Sequence, residues 1–344
     1  MKRRTFNSGL LKTNARIVSG ASVVGRAEHS GPLSDLFDLH DDTDRFGQPT
    51  WEQAESEMQR RALSVAMKKA GAKSDDIDAI FAGDLLNQCV GAAYGLSEFG
   101  APYFGLYGAC STSAEALTLA ALTVSGGFFD LAAAVTSSHN CSAERQFRTP
   151  IEYGGQRPPS AQWTVTGSGA FLLSADRPDS PFVTRNSPTV CQVMPGIVTD
   201  KGINDPNNMG AAMAPAAVDT LTRYFRLSGA QPDDFDLILT GDLGRIGSEI
   251  LVDMLMAEGI DISGIHNDCG LIIYEGIDSP DVNSGGSGCG CAATVLAAYA
   301  LPRLASGEIR NMLFIATGAM MSTSSLQQGL TIPGIAHLLR IKGN

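Results

Sequence analysis

The sequence predicts an α/β protein made of two pseudo-duplicated halves. Apolar runs typical of buried strands alternate with stretches of helical periodicity, which is the pattern of a mostly parallel sheet covered by helices. An internal repeat is the second observation, because Asp78–Leu85 (DAIFAGDL) recurs as Asp236–Leu243 (DLILTGDL). The segment Asp176–Pro181 is rich in breakers. We therefore expect residues 1–180 and 181–344 to form an N-terminal and a C-terminal half.

Composition excludes several classes of protein. Of 344 residues, 44% are hydrophobic and 18% are charged, so the chain can bury a large core and does not resemble a disordered protein. The net charge of −11 and the isoelectric point near 4.9 oppose any general attraction to phosphate backbones. We expect no nucleic-acid partner.

Cysteine usage and the N-terminus indicate where the chain is made. Seven cysteines are an odd number, which does not suit a disulfide framework and favours a reducing compartment. The basic start Met1–Arg4 is not followed by the apolar run of a signal peptide. The most apolar stretches are broken by glycine or charge before they reach the length of a bilayer span. The sequence predicts cytoplasmic synthesis without a signal peptide and a protein that is not transmembrane, although it could lie on a membrane as a subunit.

Helices and strands alternate through the first half. Apolar spacing predicts a helix over Trp51–Ala70 that ends at Gly71, and a second helix over Cys110–Val124 that stops at the glycines after it. Short apolar runs predict buried strands, which are Ile77–Gly83, Leu131–Thr136 and Thr164–Ala175.

The second half repeats these features in the same order. The glycine- and cysteine-rich turn and the alanine-rich helix of Gly108–Gly126 resemble Gly288–Gly307, and the strand that follows, Leu131–Thr136, resembles Met312–Thr317. Two such matches in the right order are improbable by chance. We expect the functional crevice to lie where the two cysteine-bearing turns face each other.

Cys110 stands at the start of the predicted helix in the first of these turns. The positive end of a helix dipole and nearby N–H groups lower the pKa of a thiol and favour the thiolate, so this is a location for a nucleophile. The alternative is that Cys110 is a small buried residue that fills a tight turn.

Three motifs and the duplication together resemble the thiolase and ketosynthase superfamily. The motifs are Gly108–Ser113 (GACSTS), Gly167–Ala170 (GSGA) and Gly285–Gly290 (GGSGCG). The resemblance implies a thiolase-like five-layered αβαβα fold, in which a nucleophilic cysteine lies on the first buried helix. Cys110 is the catalytic candidate if the protein is an enzyme.

Further strings narrow the resemblance to the stage V sporulation AD family of spore-forming bacteria. They cover nearly the whole chain, and they are Ala82–Gln88, Thr136–Asn140, Ala143–Arg148, Met213–Ala217 and Thr331–Pro333. The resemblance implies a protein that binds dipicolinic acid (pyridine-2,6-dicarboxylate), free or as its calcium chelate, and supports its uptake into the developing spore. It also implies a peripheral place at the spore inner membrane beside other stage V sporulation A membrane proteins, and relatives of the fold suggest a homodimer. No cofactor is expected.

The departures from the enzyme pattern favour binding over catalysis. Enzymes of this superfamily need one or two histidines in the second half, but the strand end reads Thr240–Leu243 (TGDL) and the glycine-rich turn reads Gly286–Gly288 (GSG). None of the five histidines occupies either position. The alternative function, a thiolase- or ketosynthase-type acyltransferase, would need His139 or His266 as the base in a different geometry.

Several residues are candidates for ligand binding in the crevice. Helix-start N–H groups of both halves favour anions there, which places dipicolinate beside Cys110, His139, Asn140, Gly286 and Ser287. His139 follows a strand at the edge where α/β sheets collect ligand groups, and the alternative is a histidine that only caps a loop.

Charged candidates lie outside that set. Arg145 and Arg148 are three residues apart and match a carboxylate, or alternatively they pair with Glu144 or Glu152. The repeat-related acids Asp84 and Asp242 are expected to accept hydrogen bonds from the glycine-rich turns, and direct ligation of a calcium ion is the weaker interpretation.

No metal site is expected. Cys289–Cys291 (CGC) lacks a second cysteine or histidine pair at zinc-like spacing, and a packed helix start is the favoured interpretation. His266–Cys269 (HNDC) contains ligand-type residues without a recognised spacing. The glycine-rich turn is not a phosphate loop, because no Gly-Lys-Ser/Thr follows it.

Overall fold

A computed structural model describes residues 9–147, 157–277 and 282–343 of the chain. Its strands are β1 Leu11–Gly25, β2 Leu39–Asp41, β3 Ala79–Gly83, β4 Tyr103–Gly105, β5 Leu131–Ser138, β6 Trp163–Thr164, β7 Gly167–Ala175, β8 Thr189–Met194, β9 Leu237–Thr240, β10 His266–Asp268, β11 Gly286–Ser287, β12 Asn311–Ala319 and β13 Gly334–Lys342. Its α-helices are α1 Arg26–His29, α2 Trp51–Ala70, α3 Val90–Leu96, α4 Thr112–Ser125, α5 Asn140–Phe147, α6 Met209–Ser228, α7 Gly244–Ala257, α8 Cys269–Ile273, α9 Cys289–Val295, α10 Leu301–Ser306 and α11 Thr323–Gln327, with a π-helical segment Leu296–Ala300 between α9 and α10.

The strand order repeats between the two halves. In the first half the order is β4-β3-β5-β7-β1, and in the second it is β10-β9-β12-β13-β8. The directions repeat as well, because the first three strands of each set are parallel and the last two pair antiparallel. The long strand β1 also pairs antiparallel with β8, which joins the two sets edge to edge. This topology confirms the pseudo-duplicated α/β fold.

Side-chain alternation divides the interior into three cores. On β12, Met312 and Phe314 point into the central core, whereas Leu313 and Ile315 belong to the outer core beneath α6. Strand β5 alternates in the same way between the central core and a second outer core beneath α2. Since successive strand residues point to opposite faces, each set of strands is covered on both sides.

The central layer contains the helices that begin at the two glycine-rich turns. Helix α4 contacts strands of both halves, and it also contacts α9. With α2 and α3 outside the first set of strands and α6 and α7 outside the second, the layers follow the predicted five-layered αβαβα order.

Most predicted elements form within a few residues of their expected bounds. Helix α2 ends where predicted, with Gly71 in the left-handed conformation at φ 68°. Helix α4 begins at Thr112, so Cys110 precedes the helix instead of lying in it. The predicted strand Thr164–Ala175 is divided into β6 and β7, because β6 leaves the large sheet to pair with β11.

Glycines permit the close approach of backbone segments around the site. A Cβ on Gly290 at the start of α9 would lie 2.3 Å from the Gly167 carbonyl oxygen. A Cβ on Gly318 in β12 would lie 2.3 Å from the Gly108 carbonyl oxygen, in the turn before Cys110. Both contacts join the two halves, so these glycines fix how closely the glycine-rich turns meet.

Within the described part of the chain, one helical stretch, Cys289–Ser306, has the length and composition of a membrane span. Of this stretch, 67% is buried inside the protein. Its apolar character is accounted for by packing in the central layer, where Cys291, Val295 and Leu296 belong to the core.

Candidate functional site

The first glycine-rich turn holds Cys110 in a fixed, buried position. Ala109 has φ 51°, a left-handed conformation that is uncommon for a residue with a side chain. The Ser111 hydroxyl donates to the Gly108 carbonyl at 2.6 Å, and the Gly108 amide donates to the Thr112 hydroxyl at 2.9 Å. Cys110 is 6% exposed. The turn therefore presents a thiol that the surrounding side chains cover.

The second turn approaches from the other half of the chain. Gly288 has φ 107° and precedes α9, which begins at Cys289. The side chain of Gln162 fixes this turn, because its Nε2 donates to the carbonyl oxygens of Gly286 at 2.8 Å and Asp242 at 2.7 Å. Gly286 thus acts through its backbone, as part of the β11–β6 pair.

The two turns meet at Cys110 and Ser287. The Cys110 Sγ and the Ser287 Oγ are 3.8 Å apart. Cys110 also belongs to a small apolar cluster with Leu85, Ala143 and Cys289. The sequence placed both residues in the crevice between the turns. In the structure they are neighbours, although 177 residues separate them in the chain.

A buried carboxylate, that of Asp242, faces this pair. It accepts hydrogen bonds from the Ser287 hydroxyl at 3.1 Å, the Gly288 amide at 2.8 Å and the Thr317 hydroxyl at 2.9 Å. The expected bond from the glycine-rich turn to this repeat-related acid is confirmed. Burial raises the pKa of Asp242 above its usual range.

The expectation of a low pKa at Cys110 is wrong. Burial, followed by the negative charge of Asp242, raises the pKa of the Cys110 thiol well above its usual value. Removal of the thiol from water and a neighbouring carboxylate both disfavour the thiolate, and they outweigh the helix dipole. The structure therefore holds Cys110 as a neutral thiol.

Both ring nitrogens of His139 bind the protein. Its Nε2 lies 2.8 Å from the Asp44 carbonyl oxygen, and its Nδ1 accepts from the Cys141 amide at 3.2 Å, so Nε2 carries the hydrogen. The ring also packs at 5.3 Å from that of Trp51. Burial lowers the pKa of His139. A ligand contact by His139 would have to replace one of these hydrogen bonds, so its predicted role stays a prediction.

The neighbouring candidates take part in other contacts. Asn140 donates from its backbone amide to the Thr166 hydroxyl at 3.1 Å and from Nδ2 to the Thr164 carbonyl at 3.2 Å. Arg145 forms an ion pair with Glu52 on α2, whereas the acid expected as its partner, Glu144, pairs with Arg157 at 3.2 Å. Arg148 and Glu152 lie outside the described residues.

Asp84 belongs to a second buried acidic group that the sequence did not indicate. Its carboxylate accepts from the amides of Leu86 at 2.8 Å and Ala92 at 2.6 Å, so it fixes the segment after β3 and not a glycine-rich turn. Beside it lies Glu55, which accepts from the hydroxyls of Ser137 and Ser142 at 3.0 and 2.8 Å. Burial and mutual repulsion raise the pKa of Glu55. The one sequence feature that could have indicated this acidic group is the position of Glu55, which lies on the buried face of the helix Trp51–Ala70.

Glu28 is a further buried acid without any signal in the sequence. It accepts from the Thr166 amide at 3.0 Å and from the Tyr274 hydroxyl, which joins the two halves of the chain. Its second oxygen has no hydrogen-bond partner among the residues that the structure describes. Burial raises the pKa of Glu28 to about 7.

The cysteine and histidine motifs of the second half serve packing. Cys289 is fully buried and its thiol donates to the Ser137 carbonyl at 2.9 Å. His266 Nε2 contacts the Thr240 hydroxyl at 3.0 Å, and Asp268 accepts from that hydroxyl and from the Leu243 and Gly244 amides. Within residues 9–147, 157–277 and 282–343, no group of three or more His, Cys, Asp or Glu side chains is arranged to hold a metal ion.

Comparison with known proteins identifies the family. The sequence profile of stage V sporulation protein AD matches residues 5–342. The chain belongs to the stage V sporulation protein AD family. Stage V sporulation protein AD of Bacillus subtilis (strain 168) is 46% identical over 321 residues, which cover 93% of this chain and 91% of that protein.

Solved structures similar to this member of the stage V sporulation protein AD family show the fold. A variant of OleA from Xanthomonas campestris, solved with cerulenin, superposes with a TM-score of 0.61 at 13% identity over 96% of this chain and 97% of that chain. 3-Oxoacyl-[acyl-carrier-protein] synthase III from Aquifex aeolicus gives a TM-score of 0.58 at 12% identity over 95% and 99%. These likenesses confirm the thiolase-like fold predicted from the motifs.

Proposed function

We propose that this sporulation protein is a non-catalytic thiolase-fold receptor that binds dipicolinic acid and supports its uptake into the developing spore. The observation that carries the proposal is that a buried carboxylate, that of Asp242, lies beside Cys110 and Ser287. A nucleophilic cysteine needs a base or a positive charge that stabilises its thiolate. Asp242 has the opposite effect on the thiol, because it raises the pKa of Cys110.

Three of the five histidines, His139, His266 and His337, support the same conclusion. His139 bonds the Asp44 carbonyl, and His266 contacts the Thr240 hydroxyl. His337 Nδ1 accepts from the Gly196 amide at 3.1 Å. Each is engaged with backbone or hydroxyl groups of its own surroundings, so use of one as a base for Cys110 would require rearrangement of the site.

Ser287 is the group best placed to bind a ligand carboxylate. The Ser287 hydroxyl lies between the two halves of the site, with its Oγ 3.1 Å from the Asp242 carboxylate and 3.8 Å from the Cys110 Sγ. A ligand carboxylate in the crevice would compete with Asp242 for the hydrogen of this hydroxyl. Hydrogen bonds to a charged group contribute roughly 1.5–3 kcal/mol each.

The charge of the crevice favours dipicolinate as its calcium chelate. Asp242 borders the crevice, and the acids Asp84 and Glu55 lie close enough to Cys289 to raise the pKa of its thiol. Free dipicolinate, with two negative charges, is repelled by any of these acids that is ionised, whereas its one-to-one complex with a divalent cation is neutral. We therefore expect the chelate to bind more tightly than the free acid at neutral pH.

A second function, acyl transfer through Cys110, has one observation in its favour. The left-handed Ala109 and the bonded turn around it hold Cys110 in a sterically strained geometry, and such strain gathers at functional sites. Incubation with acetyl- or malonyl-coenzyme A followed by intact-mass measurement distinguishes the two functions. The proposal expects no adduct, while stoichiometric acylation of Cys110 that turns over would establish the enzyme.

We propose in addition that the protein works as a homodimer, peripheral at the spore inner membrane beside other stage V sporulation A proteins. The edge strand β4 supports pairing between copies, because only β3 among the described strands pairs with it and its other edge is open. Its side chains Tyr103 and Phe104 are also 39% and 47% exposed. Light scattering of the wild type and of Phe104→Lys tests the dimer. A wild type that is monomeric at micromolar concentration would contradict it.

A further inference from the structure

Cationic side chains gather where the two halves join edge to edge. In this register Lys12 of β1 is opposite Gln192 of β8, and Gln192 is opposite Arg340 of β13. In the neighbouring row, Arg16 and Lys342 are both opposite Thr189. Residues directly opposite each other on antiparallel strands project to the same face. The two rows share one face, because Arg340 and Lys342 are alternate residues of β13 and a register shift in β8 takes up the odd spacing of Gln192 and Thr189. The four cations of these rows are the junction strip Lys12, Arg16, Arg340 and Lys342.

The junction strip lies on the outer face of the sheet. Gln192 Oε1 accepts a hydrogen bond from the hydroxyl of Tyr224 in α6 at 2.9 Å, and the Arg340 guanidinium lies 5.3 Å from the ring of Phe235. Tyr224 and Phe235 both belong to the outer core beneath α6. The strip thus lies on the same face of the sheet as α6, just beyond the area that this helix covers.

The two arginines are fixed, whereas the two lysines are exposed. Arg16 donates to the Thr189 hydroxyl at 3.0 Å and to the Thr184 carbonyl at 3.3 Å, and Arg340 donates from Nε to Asn311 Oδ1 at 2.9 Å. Lys12 and Lys342 are exposed. Among the described residues, neither lysine has an acidic group within ion-pair distance, although Arg16 has Asp176 at 3.8 Å.

This concentration of positive charge contrasts with the protein as a whole. The chain carries a net charge of −11, and Arg185, next to Thr184 at the border of the strip, adds another exposed cation. A local field of this sign attracts an acidic partner that the rest of the surface repels.

The geometry of the strip favours an extended peptide. Helix α6 and the Thr184–Ser187 turn border it on the sheet surface. Arg340 and Lys342 are two residues apart on one strand, which is about 6.6 Å. Carboxylates at alternate positions of an extended chain have the same spacing.

We propose that the junction strip is the docking site for an extended acidic segment of a partner protein. Carboxylates at alternate positions of the segment pair with Lys12, Arg340 and Lys342, and Arg16 strengthens the field. This surface lies on the opposite side of the strands from the central core, so docking leaves the crevice at Cys110 open.

The test uses a fluorescein-labelled octaglutamate peptide, with anisotropy as the readout at low ionic strength. The charge reversal Lys12→Glu with Lys342→Glu is expected to weaken binding at least tenfold. The matched reversal Lys68→Glu with Lys201→Glu, at two exposed lysines elsewhere, changes the net charge equally and is expected to weaken binding less than twofold. Equal losses in the two double variants would overturn the proposal, as would failure of the wild type to bind the peptide.

Vesicles separate a peptide partner from a lipid surface. Sedimentation with phosphatidylglycerol vesicles is expected to recover the two double variants equally. A loss of vesicle binding confined to the Lys12 and Lys342 variant, without a loss of peptide binding, would assign the strip to membrane lipid and contradict the proposal. Dipicolinate binding, measured in parallel, is expected to be unchanged, so failure here is distinct from failure of the receptor function.

Discussion

The Ser287 hydroxyl donates a hydrogen bond of 3.1 Å to the carboxylate of Asp242. This bond joins the segment that follows β9 to β11, which precedes α9, and Ser287 in turn faces Cys110 from the other half of the chain. An aspartate therefore stands where the resemblance to the superfamily's enzymes predicts a histidine. The reactivity of the thiol and the ligand preference of the crevice both follow from that exchange.

Cys110 is expected to react slowly with alkylating agents. Iodoacetamide attacks the thiolate, and burial together with the charge of Asp242 disfavours that form. Asp242→Asn removes the charge and is expected to speed alkylation of Cys110 severalfold at pH 8, as followed by peptide mass mapping. The more exposed Cys141 serves as the internal reference in each sample. Alkylation of Cys110 before Cys141 in the wild type would contradict this account.

His139 is expected to contribute to stability as well as to any ligand contact. His139→Ala removes the hydrogen bond to the half-buried Asp44 carbonyl and the packing against Trp51. Such a loss costs about 1–3 kcal/mol in the free energy of unfolding. Urea denaturation measures it.

The same variant tests the predicted ligand role of His139. At temperatures where it stays folded, His139→Ala is expected to weaken dipicolinate binding at least tenfold, which equals about 1.4 kcal/mol. If the folded variant binds dipicolinate as tightly as the wild type, His139 acts only in holding the Asp44 loop. Arg145 and Arg148 would then be the residues to test.

Stability is expected to fall as the pH rises from about 6.5 to 8. The pKa of Glu28 is raised to about 7, so its contribution is fully present below its unfolded pKa of about 4.5 and is lost as the pH rises through about 7. His139, His266 and His337 have lowered pKa values, so they reduce stability only when the pH falls below about 6.5. They therefore do not affect the change in stability between pH 6.5 and 8.

Glu28→Gln isolates that effect. The amide keeps an acceptor for the Thr166 amide but does not titrate. Chemical denaturation between pH 6.5 and 8 is expected to give a shallower decline for the variant than for the wild type. Parallel curves for the two proteins would show that Glu28 does not titrate in this range.

Gly290→Ala is expected to prevent correct packing of the two halves. The new Cβ would lie 2.3 Å from the Gly167 carbonyl oxygen and 2.7 Å from the Ser138 amide nitrogen, both of them backbone atoms. We expect a loss of at least about 3 kcal/mol or failure to fold, because overpacking against backbone cannot be relieved by a side-chain rotation. Gly264→Ala is the matched control, since a Cβ there meets no atom within 4 Å. Equal melting temperatures for the two variants would contradict the packing described here.

The sequence predicts the fold well because local patterns determine it. The repeat of Asp78–Leu85 in Asp236–Leu243 marks β3 and β9, which occupy the same place in the two sets of strands. The helix Trp51–Ala70 is bounded by residues typical of helix ends, because Thr50 caps its N-terminus and Gly71 ends it in a left-handed conformation. Such signals lie within a few residues of the structure that they specify.

The site is harder to predict from the sequence, because its properties depend on contacts between residues that are distant in the chain. The helix-start position of Cys110 predicts a low pKa, yet the nearby Asp242 and complete burial reverse the direction. Glu55 and Glu28 are buried by tertiary packing and bond residues far away in the chain, namely Ser137 and Tyr274. No pattern near either acid indicates these partners.

Calorimetric titration with calcium dipicolinate tests the central claim most directly. The wild type is expected to bind one chelate per chain, and Ser287→Ala is expected to lose at least tenfold in affinity, whereas the exposed-loop control Ser263→Ala keeps the wild-type value. Absence of saturable binding to the folded wild type, or equal affinity of Ser287→Ala and Ser263→Ala, would contradict a dipicolinate site between the two glycine-rich turns.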